Sequence, residues 1–134
     1  MVIDTSAFLA ILQDEPDRRS FTEAIAAAAV RRTSAATFLE ASMVLQSRFG
    51  AEGVQRLDSL LESARIEVMA VDPAQARIAR RAFTDFGKGR HPAGLNYGDC
   101  FTYALVRHLG EPLLCKGDGF ARTDLDLVLP PASG

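Results

Sequence analysis

The feature that most constrains this chain is the spacing of its short strand-like runs. "MVID" (1–4), "RRTSA" (31–35), "IEVMAV" (66–71) and "PLLC" (112–115) are separated by stretches of helical pattern. Parallel strands need a crossover of a dozen or more residues, usually a helix, to return the chain to the same edge. The spacing therefore predicts a parallel sheet with right-handed crossovers. Helices on both faces of one central parallel sheet make a three-layer α/β/α sandwich within the α/β class. A last run, "LDLVL" (125–129), reads as a further strand.

The helical stretches carry their own start and stop signals. "TSAFLAIL" is apolar nearly all round, which predicts burial on more than one side. "DEPDRRSFTEAIAAAA" places Pro16 in a first turn and Asp17 at the positive end of the helix dipole. "TFLEASMVLQSRFG" stops at Gly50. "EGVQRLDSLLESA" sets Val54, Leu57, Leu60 and Leu61 at helical spacing. "DPAQARIARRAFTDFG" is capped by Asp72, with Pro73 at the first helical position. A loop from Lys88 to Asn96 leads into the helix that bears Asp99 and ends at Gly110.

A chain of 134 residues fits one domain, taken here as residues 1–129, with "PPASG" (130–134) as a frayed tail. Apolar residues make up 48% of it, which excludes disorder as the expectation. No apolar run is long enough to span a bilayer. The first residues lack a basic segment and carry Asp4 inside the apolar stretch, which points away from a signal peptide and toward a cytoplasmic protein. Cys100 and Cys115 form no CxxC pair and read as reduced core residues. His91 and His108 lack zinc-ligand spacing. A net charge of −2 excludes nucleic-acid binding through bulk positive charge. A local basic stretch is left, "GKGRH" at 87–91, with Arg80 and Arg81 upstream on what reads as a solvated helix face. Its "GKG" lacks the spacing of a phosphate-binding P-loop.

Four acids remain, each with an ordinary structural reading. Asp4 precedes "TSA" as a helix N-cap. Thr37 and Glu40 form T-x-x-E, the signature of a capping box. Asn96 and Asp99 resemble a cap pair, with Asp99 in a first turn where the dipole favours negative charge. Asp118 precedes Gly119 in a turn pair. Taken together, they change the balance. Asp4 and Asp118 follow the carboxyl ends of strands, Glu40 lies a turn into a helix after a strand, and Asp99 heads a helix. In α/β sheets ligands bind beyond the carboxyl ends of the strands. Carboxylates gathered there repel, by roughly 4 kcal/mol per pair at 4 Å and an effective dielectric near 20. Such a cluster needs protons, Lys or Arg partners, or a divalent cation. All-oxygen ligands suit Mg²⁺ or Mn²⁺ better than zinc, and such an ion can activate water and neutralise phosphoryl charge.

"VIDTSA", Glu40 within "TFLEASMVL", "GKGRHPAGLNYGDCFTYAL" (87–105) and "PLLCKGDGF" (112–120) occur in this order across nearly the whole chain. In order and spacing these segments resemble VapC-type toxins of the PIN-domain family, and the stretch from Gly87 to Tyr103 is the most specific part. The resemblance implies a parallel-sheet sandwich and an Mg²⁺- or Mn²⁺-dependent endoribonuclease acting on tRNA or rRNA. It also implies a homodimer and a small VapB-type antitoxin as partner, with no membrane association. By position, Asp4, Glu40 and Asp99 match the family's metal-binding acids, and Asp118 matches a fourth, less constant one. Many relatives carry a second acid where this chain has Gly119, which leaves one-metal and two-metal chemistry open. Ser6 and Thr5 offer hydroxyls to phosphate or water, with capping as an equal reading. Lys88, Arg90 and His91 would meet the RNA backbone.

Two other readings compete. A phosphoacceptor receiver domain is also small, α/β and acidic, with Asp72 as acceptor and Lys116 after a main strand. Against it, receivers want paired acids after the first strand, and only Asp4 is present. The other is a catalytically inactive PIN fold that only binds, against which the retained acids argue.

Overall fold

The computed structural model describes residues 1–130. The tail expected at 130–134 lies, apart from Pro130, outside the described residues. Strands β1 (Val2–Ile3), β2 (Arg32–Ser34), β3 (Glu67–Met69) and β4 (Leu113–Leu114) pair in the order β3-β2-β1-β4, all parallel. Six helices fill the crossovers. They are α1 (Thr5–Leu12), α2 (Arg18–Ala27), α3 (Ala35–Phe49), α4 (Ala51–Ser63), α5 (Pro73–Phe86) and α6 (Tyr97–Leu109).

The three-layer arrangement follows from the pleat. Successive side chains on a strand point to opposite faces. Ile3 and Leu114 join a core with Phe8, Phe21, Leu45 and Leu57 from α1 to α4. Val2 and Leu113 face the other way, into a core with Ala79, Ala82, Tyr103 and Leu105 from α5 and α6. The central pair β1 and β4 is therefore buried on both faces, which is why those two strands are apolar throughout, while the edge strand β3 is largely exposed.

The strand order also places the site. From β1 the chain steps outward to β2 and β3, then crosses back to pair β4 on the other side of β1. The reversal point is the crevice between the carboxyl ends of β1 and β4, where such sheets bind ligands. Asp4 is the first residue past β1, and its N–H donates to Leu114 of β4 at 3.0 Å.

Several local expectations are corrected. "LDLVL" forms no strand; Leu127 makes a single bridge to Leu113, held by two backbone hydrogen bonds. Pro16 lies outside α2, which begins at Arg18. Asp17 is the α2 N-cap residue but makes no side-chain cap bond: its backbone is not extended as a capping residue's is, and its carboxylate meets Lys116 at 3.2 Å. Thr37 and Glu40 form no capping box: α3 starts two residues earlier, with Ser34 accepting from the Ala36 N–H at 3.2 Å. The caps expected at Asp4, Asp72 and Asn96 are present. Both cysteines are free and buried.

Candidate active site

Asp4 is the innermost acid, 5% exposed. Its Oδ2 accepts from the Ser6 N–H at 3.1 Å and the Ser6 hydroxyl at 2.6 Å, and its Oδ1 accepts from the Thr102 hydroxyl at 2.7 Å. It is a cap and more: Thr102 reaches it from another helix.

Glu40 stands half-buried on the second turn of α3. The Thr5 hydroxyl donates to its Oε1 at 2.6 Å. Its carboxylate also lies against the backbone of Gly98, where an added Cβ would stand 2.3 Å from Oε2. The glycine beside Asp99 is thus a matter of space: any side chain there would push Glu40 away.

Asp99 is the third residue of α6 and makes a reciprocal capping box with Asn96. Its N–H donates to Asn96 Oδ1 at 2.9 Å, and its Oδ2 accepts from the Asn96 N–H at 3.0 Å. Its pKa is raised to about 6. Burial is the main cause, and the charges of Asp4 and Glu40 add to it against the lowering effect of the Asn96 N–H. Burial, with the charges of Asp4 and Asp99 added, likewise pushes the Cys115 thiol up to about 12.

Three carboxylates therefore share one field, and no Lys or Arg among the described residues pairs with any of them. Lys116 is the informative case. Its backbone N–H donates to Ser6 Oγ at 2.9 Å, but its ammonium turns to Glu15 at 3.0 Å and Asp17 at 3.2 Å.

Of the other expected site residues, Ser6 bonds to Asp4, while Asp118, Lys88 and Arg90 make no bond to the three acids among the described residues. Asp118 is exposed, with Arg122 as its partner at 3.4 Å, and it is not among the charges that shift Asp99. The Ser6 hydroxyl is committed to Asp4 and Lys116. Lys88 and Arg90 are exposed on the loop that feeds α6, and the Arg90 guanidinium sits 5.3 Å from the Phe83 ring centroid. That loop is closed by a bridge between Gly87 and Leu95 and by turns at Arg90, His91 and Gly94. His91 plays a structural part, accepting from the Ala93 N–H at 3.0 Å and meeting Phe86 edge-on. Asp72 caps α5 beyond the edge strand β3, two strands from β1, where a phosphoacceptor would have no acidic neighbours from this cluster.

Two buried threonines were not anticipated as part of the site. Thr102 and Thr37 are 1% and 2% exposed, and their hydroxyls lie 3.2 Å apart. Sequence offered one signal: each is three residues from an acid on its own helix, and positions three apart share a helix face.

Among the described residues, no group of three or more His, Cys, Asp or Glu side chains is arranged to hold a metal ion directly. The donor chemistry still fits a hard cation. Mg²⁺ characteristically takes one or two carboxylates and keeps several waters. A partly buried, all-oxygen, uncompensated acid set meets that requirement better than it would meet closed ligation.

The PIN-domain family model matches residues 1–125. The chain is 49% identical to ribonuclease VapC30 of Mycobacterium tuberculosis, over 98% of this chain and 100% of that protein. The chain belongs to the VapC-type PIN-domain family. Another member, ribonuclease VapC of Mycolicibacterium smegmatis, is 52% identical over 96% of this chain and 99% of its own length. The PIN fold is equally clear in three dimensions. The crystal structure of Mycobacterium tuberculosis VapC20, a sarcin-ricin loop cleaving toxin, superposes with a TM-score of 0.77 at 19% identity, covering 96% of this chain and 98% of that one. A toxin-antitoxin complex from Klebsiella pneumoniae matches with a TM-score of 0.70 at 17% identity, over 92% of both chains. No helix among the described residues is long and apolar enough to cross a membrane.

Proposed function

We propose that this protein is a divalent-metal-dependent endoribonuclease, the toxin of a toxin–antitoxin pair, acting on tRNA or rRNA in the cytoplasm. One observation carries the reading: Asp4, Glu40 and Asp99 repel one another at the reversal point of the sheet, with no cationic side chain among the described residues to neutralise them. Their mutual strain is relieved by a cation, and the VapC relatives are ribonucleases by name.

In this reading Asp4, Glu40 and Asp99 would hold Mg²⁺ or Mn²⁺. A bound ion of that kind lowers the pKa of water and neutralises charge on a phosphodiester. The protein supplies the rest. Asp4 is aimed by Ser6 and Thr102. Glu40 is held by Thr5. Asp99 is held at the start of α6 by its reciprocal bonds with Asn96. Lys88 and Arg90 supply positive charge to the RNA backbone from the neighbouring loop. Asp118, paired with Arg122, would serve as an outer acid.

The partners follow from exposed surface and kinship. Leu39 and Met43, 57% and 60% exposed at i and i+4, share one face of α3 and offer apolar surface to a second copy of the chain. A VapB-type antitoxin is the second partner.

The test pairs cells with purified protein. Inducible expression of wild type should arrest growth and Asp4→Asn should not. Purified Asp99→Asn should fall at least a thousandfold in Mg²⁺-dependent RNA cleavage, in line with losing one member of a group that acts as a unit. Wild-type cleavage by Asp99→Asn, or equal arrest by Asp4→Asn, defeats the assignment.

A further inference from the structure

Each helix that carries a site acid also carries a buried threonine one turn away: Thr37 precedes Glu40 by three residues on α3, and Thr102 follows Asp99 by three on α6. The two hydroxyls meet each other and the third acid. Thr102 Oγ1 lies 2.7 Å from Asp4 Oδ1 and 3.2 Å from Thr37 Oγ1.

The proton count decides their roles. A threonine hydroxyl has one proton to give, and the Thr102 hydroxyl points it at Asp4 Oδ1. Thr102 must therefore spend its proton on Asp4, and the hydrogen bond between the threonines must run from Thr37 to Thr102. The result is a directed relay, Thr37 to Thr102 to Asp4, in a place closed to solvent. It joins the three elements that bear the acids: the β1–α1 junction, α3 and α6.

Ser6 cannot do this work alone. It lies two residues from Asp4 and holds only Oδ2, as a local cap. Thr102 is the partner of Oδ1 and comes from 98 residues away. Donors on both oxygens, from two separate elements, fix the plane of the carboxylate.

We propose that Thr102, polarised by Thr37, is a positioning residue that aims the Asp4 carboxylate at the metal and so couples the placement of all three acids. This rests on the metal-dependent ribonuclease reading. Loss of such an outer partner typically costs about 10–100-fold in metal affinity or activity.

The experiment compares wild type with Thr102→Val, Thr102→Ser, Thr37→Val and the double valine variant. Mn²⁺ binding is measured by electron paramagnetic resonance, cleavage as separate kcat and KM, and folding by thermal melting in EDTA. Thr102→Val should weaken Mn²⁺ binding and lower kcat by about 10–100-fold, with KM for RNA changed less than about twofold. Thr102→Ser should restore both. Thr37→Val, which leaves the bond to Asp4 in place, should lose less. Adding Thr37→Val to Thr102→Val should recover melting temperature, because it removes an orphaned buried hydroxyl, but not Mn²⁺ affinity. Wild-type Mn²⁺ affinity in Thr102→Val, or a serine variant as impaired as the valine one, overturns the proposal. So does a wild-type protein that binds no Mn²⁺. A wild type that binds Mn²⁺ and cuts no RNA defeats the ribonuclease reading alone, and the affinity series still decides the part played by Thr102.

Discussion

The two ends of the β-sheet treat charge in opposite ways. At the amino ends of the strands, acids and cations are matched. Glu111 pairs with Arg32 and accepts from the Met1 amino group at 2.9 Å, and Arg32 lies 3.6 Å from Glu67. At the carboxyl ends, Asp4, Glu40 and Asp99 receive hydroxyl and amide hydrogens but no cation from the described residues. Hydroxyls orient a carboxylate without cancelling its charge. The first end is built for stability; the second keeps an unspent negative field, as a cation site requires. Recesses do not tell the two apart. One of about 700 Å³, lined by Met1, Ala28, Val30, Glu111 and Pro112, lies at the matched end and contains none of the three acids.

The contrast can be broken most severely at Gly98. In Gly98→Ala the new methyl group would overlap Glu40, forcing the carboxylate off Thr5. Cleavage should fall about 100-fold, since a misplacement near 1 Å can cost that much, while the melting curve changes little. Unchanged cleavage would show that Glu40 has room to move and that its position is unimportant.

At the matched end the effect should be on stability alone. Glu111→Gln leaves Arg32 with a weaker partner; the Arg32 Nε is already buried without a hydrogen bond among the described residues. Urea denaturation should show a loss of about 1–3 kcal/mol, with cleavage by the folded protein unaltered. Equal damage to kcat would mean the two ends are coupled.

The pH dependence separates them again. Asp99 has a folded pKa of about 6 against an ordinary value of 3.8. The fold therefore binds its proton more tightly than the unfolded chain does. Stability from this group is full below pH 3.8 and is lost as pH rises through about 6. In EDTA, the stability of Asp99→Asn relative to wild type should grow by ~1–2 kcal/mol between pH 4 and pH 7.5, allowing for solvent screening of a partly exposed group. A flat difference would mean that Asp99 feels neither burial nor its acidic neighbours.

The smallest effect is expected at Asp118. Its only ion-pair partner among the described residues is Arg122 at 3.4 Å, and its side chain is 75% exposed. Asp118→Asn should leave stability within about 0.5 kcal/mol and cleavage within roughly threefold. A loss comparable to that of Asp99→Asn would bring it into the acid set.

Much of this was legible in the chain because it depends on local pattern. Strand runs separated by helical lengths leave little choice but parallel pairing, and the caps at Asp4, Asp72 and Asn96 act within three residues of themselves. Thr37 shows where local pattern misleads. T-x-x-E has the form of a capping box, yet Ser34 caps the helix earlier and releases Thr37 into the core. "LDLVL" has the composition of a strand but makes only one bridge. Lys116 and Asp118 follow the same strand, and sequence could not say which way either would turn.

By itself, then, the sequence determined the class of fold, the caps, and the candidate acids at the ends of strands and the starts of helices. Those are short-range consequences of backbone geometry and hydrophobic period. Only the tertiary structure decided that Asp4, Glu40 and Asp99 share a field and that Asp118 does not. It alone turned Lys116 away from them and brought Thr102 to Asp4 across 98 residues. Electrostatic coupling depends on distance and burial in three dimensions, and neither is written in the spacing of residues along the chain.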